Sequence, residues 1–122
     1  LALTLDENQL DDLAPLAGLS KLNLLSLNSN KISDLRPIAK LIYLKYLYLG
    51  ENQIEDIDYL KGLDNLVIQD MSKNQLTNVK VLGGLTKLRS LNLFDNEGLN
   101  FAEIQGLQKA LPNCEILSNS TK

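Results

Sequence analysis

The residue types able to do chemistry are few. The 122 residues include no histidine and one cysteine, Cys114, with 15 Asp and Glu against 12 Lys and Arg for a net charge of −3. Without imidazole, a histidine-based triad and the usual histidine-containing zinc site are excluded. A single thiol makes no internal disulfide. No glycine-rich phosphate loop or paired-ligand metal motif is present, so neither enzymatic activity nor a cofactor is expected. What does recur is a row of short acceptors, Asp12, Asp34, Asp56 and Asn78, each 22 residues from the next. Calcium is the chemistry such a row could serve. Each copy brings one carboxylate at most, however, and calcium takes six or more oxygens. Capping of a local turn by a short side chain accounts for the row better, and no metal is expected.

A second row has the same period: Asn8, Asn30, Asn52, Asn74 and Asn96. An Asn amide both donates and accepts, so stacked copies can satisfy buried backbone groups at a repeated turn. This structural asparagine ladder is preferred to a binding site. Around each Asn runs the pattern L-x-x-L-x-L-x-x-N-x-L, as in Leu22, Leu25, Leu27, Asn30 and Ile32, then Leu44, Leu47, Leu49, Asn52 and Ile54. The fourth copy carries Leu66, Gln69, Met71, Asn74 and Leu76, and the fifth carries Leu88, Leu91, Leu93 and Asn96. The first is cut short, at Leu3, Leu5, Asn8 and Leu10. Gln69 places an amide at an inward position, where it needs partners or costs stability.

Five copies in register resemble the leucine-rich repeat family, in its short 22-residue subclass. That subclass includes bacterial internalin-like surface proteins and a eukaryotic phosphatase-regulator type. The resemblance implies an α/β fold: a right-handed horseshoe solenoid with a parallel β-sheet on the concave face and 3₁₀ or extended segments on the convex face. The residues agree. Leucines at period two point to one side of a short strand. No single repeat can bury them, but stacked neighbours can. Pro15 and Pro37 fall in the return leg, which is too short for a long helix. Gly83 and Gly84 read as a tight bend in a later leg. Leucine supplies 29 of the 122 residues and aromatics only 5%, so the core is aliphatic.

Repeats are expected over 1–99 and a C-terminal cap over 100–117, with a disordered tail over 118–122. Asn100 begins a capping-box-like start, and Ile104, Leu107 and Leu111 keep helical spacing until Pro112, which predicts a helix over about 101–111. Leu111-x-x-Cys114-x-Ile116 then repeats the strand pattern, with Cys114 in an inward leucine place as a buried apolar residue. The segment resembles the closing cap of bacterial surface leucine-rich repeat proteins. Leu1 starts mid-strand, so more chain is expected before it; end-to-end contact through this uncapped end is the other option.

Function is then expected in recognition by the outward strand positions. Leu24, Tyr46 and Ile68 form one row, with Tyr48, Asp70, Asn92 and Phe94 beside it. The row is apolar at its centre, with Asp6, Glu7, Glu51, Asp70 and Asp95 around it against Lys73 alone. Tyrosine is enriched at binding hot spots. A protein partner with a basic or amphipathic segment suits this face, whereas a nucleic acid does not. The same positions also favour Tyr, Ile and Phe through strand propensity alone. The reading is therefore a non-enzymatic protein-recognition module of a larger bacterial surface or secreted protein. The alternatives are a structural spacer and an intracellular regulatory subunit of an enzyme, which would place the chain in the cytoplasm. No apolar run is long enough to span a membrane.

Overall fold

The computed structural model describes residues 1–119. Six three-residue strands form one sheet in chain order: β1 (Ala2–Thr4), β2 (Leu24–Ser26), β3 (Tyr46–Tyr48), β4 (Ile68–Asp70), β5 (Ser90–Asn92) and β6 (Glu115–Leu117). Every neighbouring pair is parallel. From β1 to β5 the register advances by one repeat: Leu25 faces Leu47, Leu47 faces Gln69, and Gln69 faces Leu91. The return legs hold 3₁₀ turns at Ala14–Leu16, Arg36–Ile38, Asp58–Leu60 and Lys80–Gly84. The first two contain Pro15 and Pro37.

One continuous core lies between sheet and return legs. Leu25, Leu27, Leu47, Leu49, Ile54, Leu66 and their counterparts are fully buried. At roughly 1.5–3 kcal/mol for each fully buried Leu or Ile, this stacking is the main stabilising force. Leu3, Leu5 and Leu10 are only partly buried at the β1 end.

Each 3₁₀ turn begins with a side-chain acceptor two residues ahead of its first bonded amide. The backbone amides of Ala14, Arg36, Asp58 and Lys80 donate to Oδ1 of Asp12, Asp34, Asp56 and Asn78 at 2.9–3.0 Å. The carboxylates are thus each engaged with their own turn. Asp34 is also gripped by the Arg36 guanidinium at 2.8 Å, which holds its carboxyl at about 2.

The asparagine row binds repeat to repeat. Asn52 Nδ2 donates to the carbonyls of Leu27 in the preceding repeat and of Leu49 and Gly50 in its own, at 3.0–3.2 Å. Its Oδ1 accepts from the Ile32 amide at 3.0 Å. Asn30, Asn74 and Asn96 make the same set of contacts. Asn8 stands apart. It is exposed, its Nδ2 donates only to the Asp6 carbonyl, and its own amide donates to Asn30 Oδ1. It receives the ladder without extending it, because no described repeat lies ahead of it.

The residue before each Asn carries a strain that the sequence did not signal. Glu7, Ser29, Glu51, Lys73 and Asp95 have φ of 54–60°, the left-handed region, and none is glycine. A side chain there is disfavoured by roughly 1–2 kcal/mol, and the bonds of the adjacent Asn hold it.

At the C-terminus α1 (Phe101–Ala110) replaces the return leg. Asn100 Oδ1 accepts from the Glu103 amide at 2.9 Å, and Ile104 and Leu107 face the core. The helix stops one residue short of Leu111, which takes an extended φ of −124° before Pro112. Gly83 does more than bend its leg: a Cβ there would stand 3.2 Å from that of Ala110, so its absence lets α1 pack close. Beyond the helix the strand register differs from the pattern read in the sequence. Ile116 pairs with Leu91 and Leu117 with Asn92, a step of 25 rather than 22. Cys114 therefore precedes the strand instead of taking its first inward place, yet it is 4% exposed and packed in the core. Burial pushes its thiol up, away from reactivity. Of the tail expected over 118–122, residues 120–122 lie outside the described residues. Asn119 is held by Asp95, whose amide donates to Asn119 Oδ1 at 2.6 Å.

Gln69 is 1% exposed, and both its amide atoms lack partners. Neither escape open to it, a backbone partner or a shift toward solvent, is taken. Gln69→Leu is expected to raise stability by about 1–3 kcal/mol, read as a higher urea midpoint; a lower midpoint would contradict the orphaned amide. Asn52→Ala leaves the buried Ile32 amide unpaired and takes one donor each from the Leu27, Leu49 and Gly50 carbonyls, which keep Asn30, Asn74 and the Ser29 amide. It should cost roughly 1–3 kcal/mol, and an unchanged midpoint would count against the ladder's role.

Candidate functional site

The sheet face turned away from the core is built from three rows. Hydrogen-bonded register places Ala2, Leu24, Tyr46, Ile68, Ser90 and Glu115 in the first, and Thr4, Ser26, Tyr48, Asp70, Asn92 and Leu117 in the second. The 22-residue period adds a third just past the strand ends: Asp6, Asn28, Gly50, Ser72 and Phe94. Parallel strands stand about 4.8 Å apart, so Leu24, Tyr46 and Ile68 are contiguous and Tyr48 and Asp70 are neighbours. Leu24, Tyr46, Tyr48, Ile68, Asp70 and Asn92 are each half-buried, and Phe94 is exposed. The Tyr46 and Tyr48 hydroxyls have no hydrogen-bond partner among the described residues. Leu117, 37% exposed at the end of the second row, is a further apolar member that the shifted register concealed.

Polar side chains fix the third row from within. Asp6 Oδ1 accepts from the Asn28 amide at 2.8 Å and from Ser26 Oγ at 2.7 Å. Asn28 Oδ1 accepts from the Gly50 amide at 2.7 Å. The relay then breaks, because Gly50 has no side chain to offer Ser72. Asp70 turns in from the second row instead and accepts from the Ser72 amide at 2.9 Å, as Asn92 does for Phe94 at 3.0 Å. Ser26, though an outward position, is spent on Asp6 and is 7% exposed.

Charge is segregated across this face. Asp6, Glu7, Glu51, Asp70 and Asp95 lie at the strand-end rim, where Lys73 is the one adjoining cation of the set. At the strand-start rim, Lys21 and Lys45 flank Asn23 and Tyr43 around a shallow notch of about 450 Å³, and Lys87 and Arg89 continue the same side. Reading the acidic rim alone missed these. The signal was present, since Lys21 with Lys87 and Lys45 with Arg89 share positions in the 22-residue frame. Among the described residues the one salt bridge joins Asp34 and Arg36, so neither rim is neutralised by ion pairs. Lys87 Nζ is occupied by Asn65 Oδ1 at 2.9 Å.

Elsewhere, a groove of about 600 Å³ runs between α1 and the Lys80–Gly84 turn, floored by Gly83, Ala102, Gly106 and Ala110. It owes its room to small residues and brings no set of functional groups together. Among the described residues no group of three or more Cys, Asp or Glu is placed to hold a metal, and no helix is long and apolar enough to cross a membrane.

Solved structures decide the architecture. An internalin of Listeria monocytogenes superposes with a TM-score of 0.90 at 28% identity, covering 99% of this chain and 36% of that one. The chain is a leucine-rich repeat solenoid. Internalin C2 of the same organism matches with a TM-score of 0.83 at 32% identity over 95% of this chain and 51% of that one. A leucine-rich repeat protein of Leptospira interrogans matches with a TM-score of 0.71 at 29% identity, over 95% of this chain and 36% of that one. The solenoid thus spans about a third to a half of the length of these neighbours. No protein-family model matches the chain, and no curated protein does. In this architecture the six-stranded sheet lines the inner curve, so the three rows form the concave face.

Proposed function

We propose that this solenoid is a protein-recognition module that holds its partner on the concave sheet, as part of a larger bacterial surface or secreted protein. Leucine-rich repeat solenoids are protein-interaction scaffolds, whose stacking creates extended concave surfaces. The observation that carries the proposal is the contiguous patch of Leu24, Tyr46, Tyr48 and Ile68. It unites two tyrosines having unpartnered hydroxyls with two half-exposed aliphatics on a backbone locked from behind by the asparagine ladder. A rigid, amphipathic tyrosine surface offers contact area and hydrogen bonding at small entropic cost. The segregated rims add orientation: a partner crossing the sheet along the strands would set acidic groups over Lys21 and Lys45 and basic groups over Glu51 and Asp70. The bacterial surface assignment is supported by the likeness to two Listeria internalins.

The test compares the parent with a Tyr46→Ala/Tyr48→Ala variant of equal thermal midpoint, in capture from host and native-cell extracts. Truncating hot-spot aromatics costs about 2 kcal/mol or more. The captured protein should therefore bind the variant at least about tenfold more weakly. Equal retention by parent and variant would move the role to a spacer or to a different surface.

A further inference from the structure

The strand-start rim carries apolar surface that the repeat does not call for. Ile42 is 48% exposed and Tyr43 59%. Stacking at the 22-residue period puts Ser20, Asp64 and Thr86 at the place of Ile42, and Lys21, Asn65 and Lys87 at that of Tyr43. The other three repeats therefore keep both places polar, and the core needs neither side chain. The loop beneath the pair is pinned, because Asn65 Nδ2 donates to the Ile42 carbonyl at 2.8 Å. Beside the pair the charge is positive. The Lys45 amide donates to the Asn23 carbonyl at 2.8 Å, which seats Lys45 one repeat beyond Asn23. Lys21, Asn23, Tyr43 and Lys45 then line one open notch. Both lysines are exposed, and neither ammonium has a partner among the described residues. Asp64 stands one repeat past Ile42, on the side away from Lys21. This end of the rim is thus positive on a chain whose net charge is −3.

From this we infer that the strand-start rim is a second docking surface, for a short acidic segment of a protein partner. The segment sets an apolar side chain on Ile42 and Tyr43 and carboxylates over Lys21 and Lys45. The inference carries the recognition reading past the concave sheet, to a surface that stands without Tyr46 and Tyr48. An exposed aliphatic and an exposed ring lose apolar area to water-free contact, and the lysine stems extend that area while their heads stay wet. Two cations beside it orient a segment of opposite charge. A nucleic acid fits less well. Two free cations neutralise few phosphates, and Asp6, Glu51 and Asp95 at the strand-end rim repel a polyanion that runs on across the sheet.

Amide shifts of Asn23, Tyr43 and Lys45 in the ¹⁵N-labelled chain test this at about 0.15 M salt, where diffuse attraction is screened. The probe is a blocked Glu-Asp-Phe-Asp-Glu peptide, compared with its Gln-Asn-Phe-Asn-Gln and Glu-Asp-Ser-Asp-Glu counterparts. The first should give saturable shifts, and each counterpart should bind at least about fivefold more weakly. Ile42→Ser/Tyr43→Asn installs residues that other repeats already carry at these places. It should keep the thermal midpoint and weaken the probe about tenfold, and Lys21→Gln/Lys45→Gln should do the same. No saturable shifts, equal binding by the uncharged peptide, or a probe indifferent to both variants would overturn the surface. Shifts from an oligothymidylate or from phosphatidylglycerol vesicles, where the peptide gives none, would overturn the protein assignment. Peptide binding unchanged in Tyr46→Ala/Tyr48→Ala supports a separate surface, whatever that variant does to capture. Peptide binding lost in that variant would make the rim part of the concave site and overturn the inference. Failure of the rim while capture still depends on Tyr46 and Tyr48 leaves the concave reading standing.

Discussion

The structure depends on one recurring requirement: a buried turn after every strand must have its backbone polar groups satisfied. Leucine stacking supplies the driving force, but stacking also takes the strand-end turn out of water. Without partners those amides and carbonyls would cost about as much as the leucines contribute. One Asn per repeat resolves this by accepting from the preceding repeat and donating to two layers at once, as Asn52 does to Leu27, Leu49 and Gly50. The bond network fixes the translation between repeats, and hence the strand register and the rows on the concave face. It also holds Glu51, Lys73 and their counterparts in a left-handed conformation that isolated residues of those types would leave.

The same requirement divides each repeat into committed and free positions. Inward leucines, the ladder Asn and the short acceptor of the 3₁₀ turn are consumed by stacking. Outward strand positions are constrained only by the pleat, so chemistry specific to this chain can collect there. Gln69 shows what happens when a committed position departs. Its neighbours Leu47 and Leu91 offer no hydrogen bond, and both amide atoms stay unpaired in the core. The ordered layers on either side restrict any local shift that would release them.

The fold was legible because a period of 22 expresses itself five times, so Asn30 through Asn96 and the leucines around them reinforce one another. The outward rows, including Tyr46, Tyr48 and Ile68, followed from the same phase. Legibility ended where the period ended. Past Asn96 the ten-residue α1 replaces a 3₁₀ leg, and the strand pattern around Cys114 resumes at a step of 25. Leu117 therefore joined the concave face unannounced. The basic rim escaped for a different reason. Lys21, Lys45, Lys87 and Arg89 precede the strands, just before the motif's first leucine or at its first variable position, and only the stacked geometry brings them to one edge. Gly83 reads as a bend in sequence because nothing local reveals that α1 will pack on it.

Gly50 interrupts the third row of the concave face. Along the third row, Asp6 serves Asn28 and Asn28 serves Gly50, a polar relay from repeat to repeat. An Asn or Asp at position 50 would carry the relay on to Ser72. Glycine ends it, and the Ser72 amide is served instead by Asp70 from the adjacent row. The exchange leaves the backbone satisfied and puts the Asp70 carboxylate beside Tyr48 on the concave face, with the oxygens of Asn28, Ser72 and Asp70 crowding the place where a side chain at position 50 would begin. In the buried ladder a missing Asn would leave an amide of the preceding repeat, as Ile32 for Asn52, without a partner in an apolar core. On the concave side a neighbouring row can take over, as Asp70 does for the Ser72 amide, and the interruption leaves no backbone amide there unpaired. The face nearest the stacking constraint but not subject to it is therefore where repeats of one frame can differ in side chain without loss of the stack.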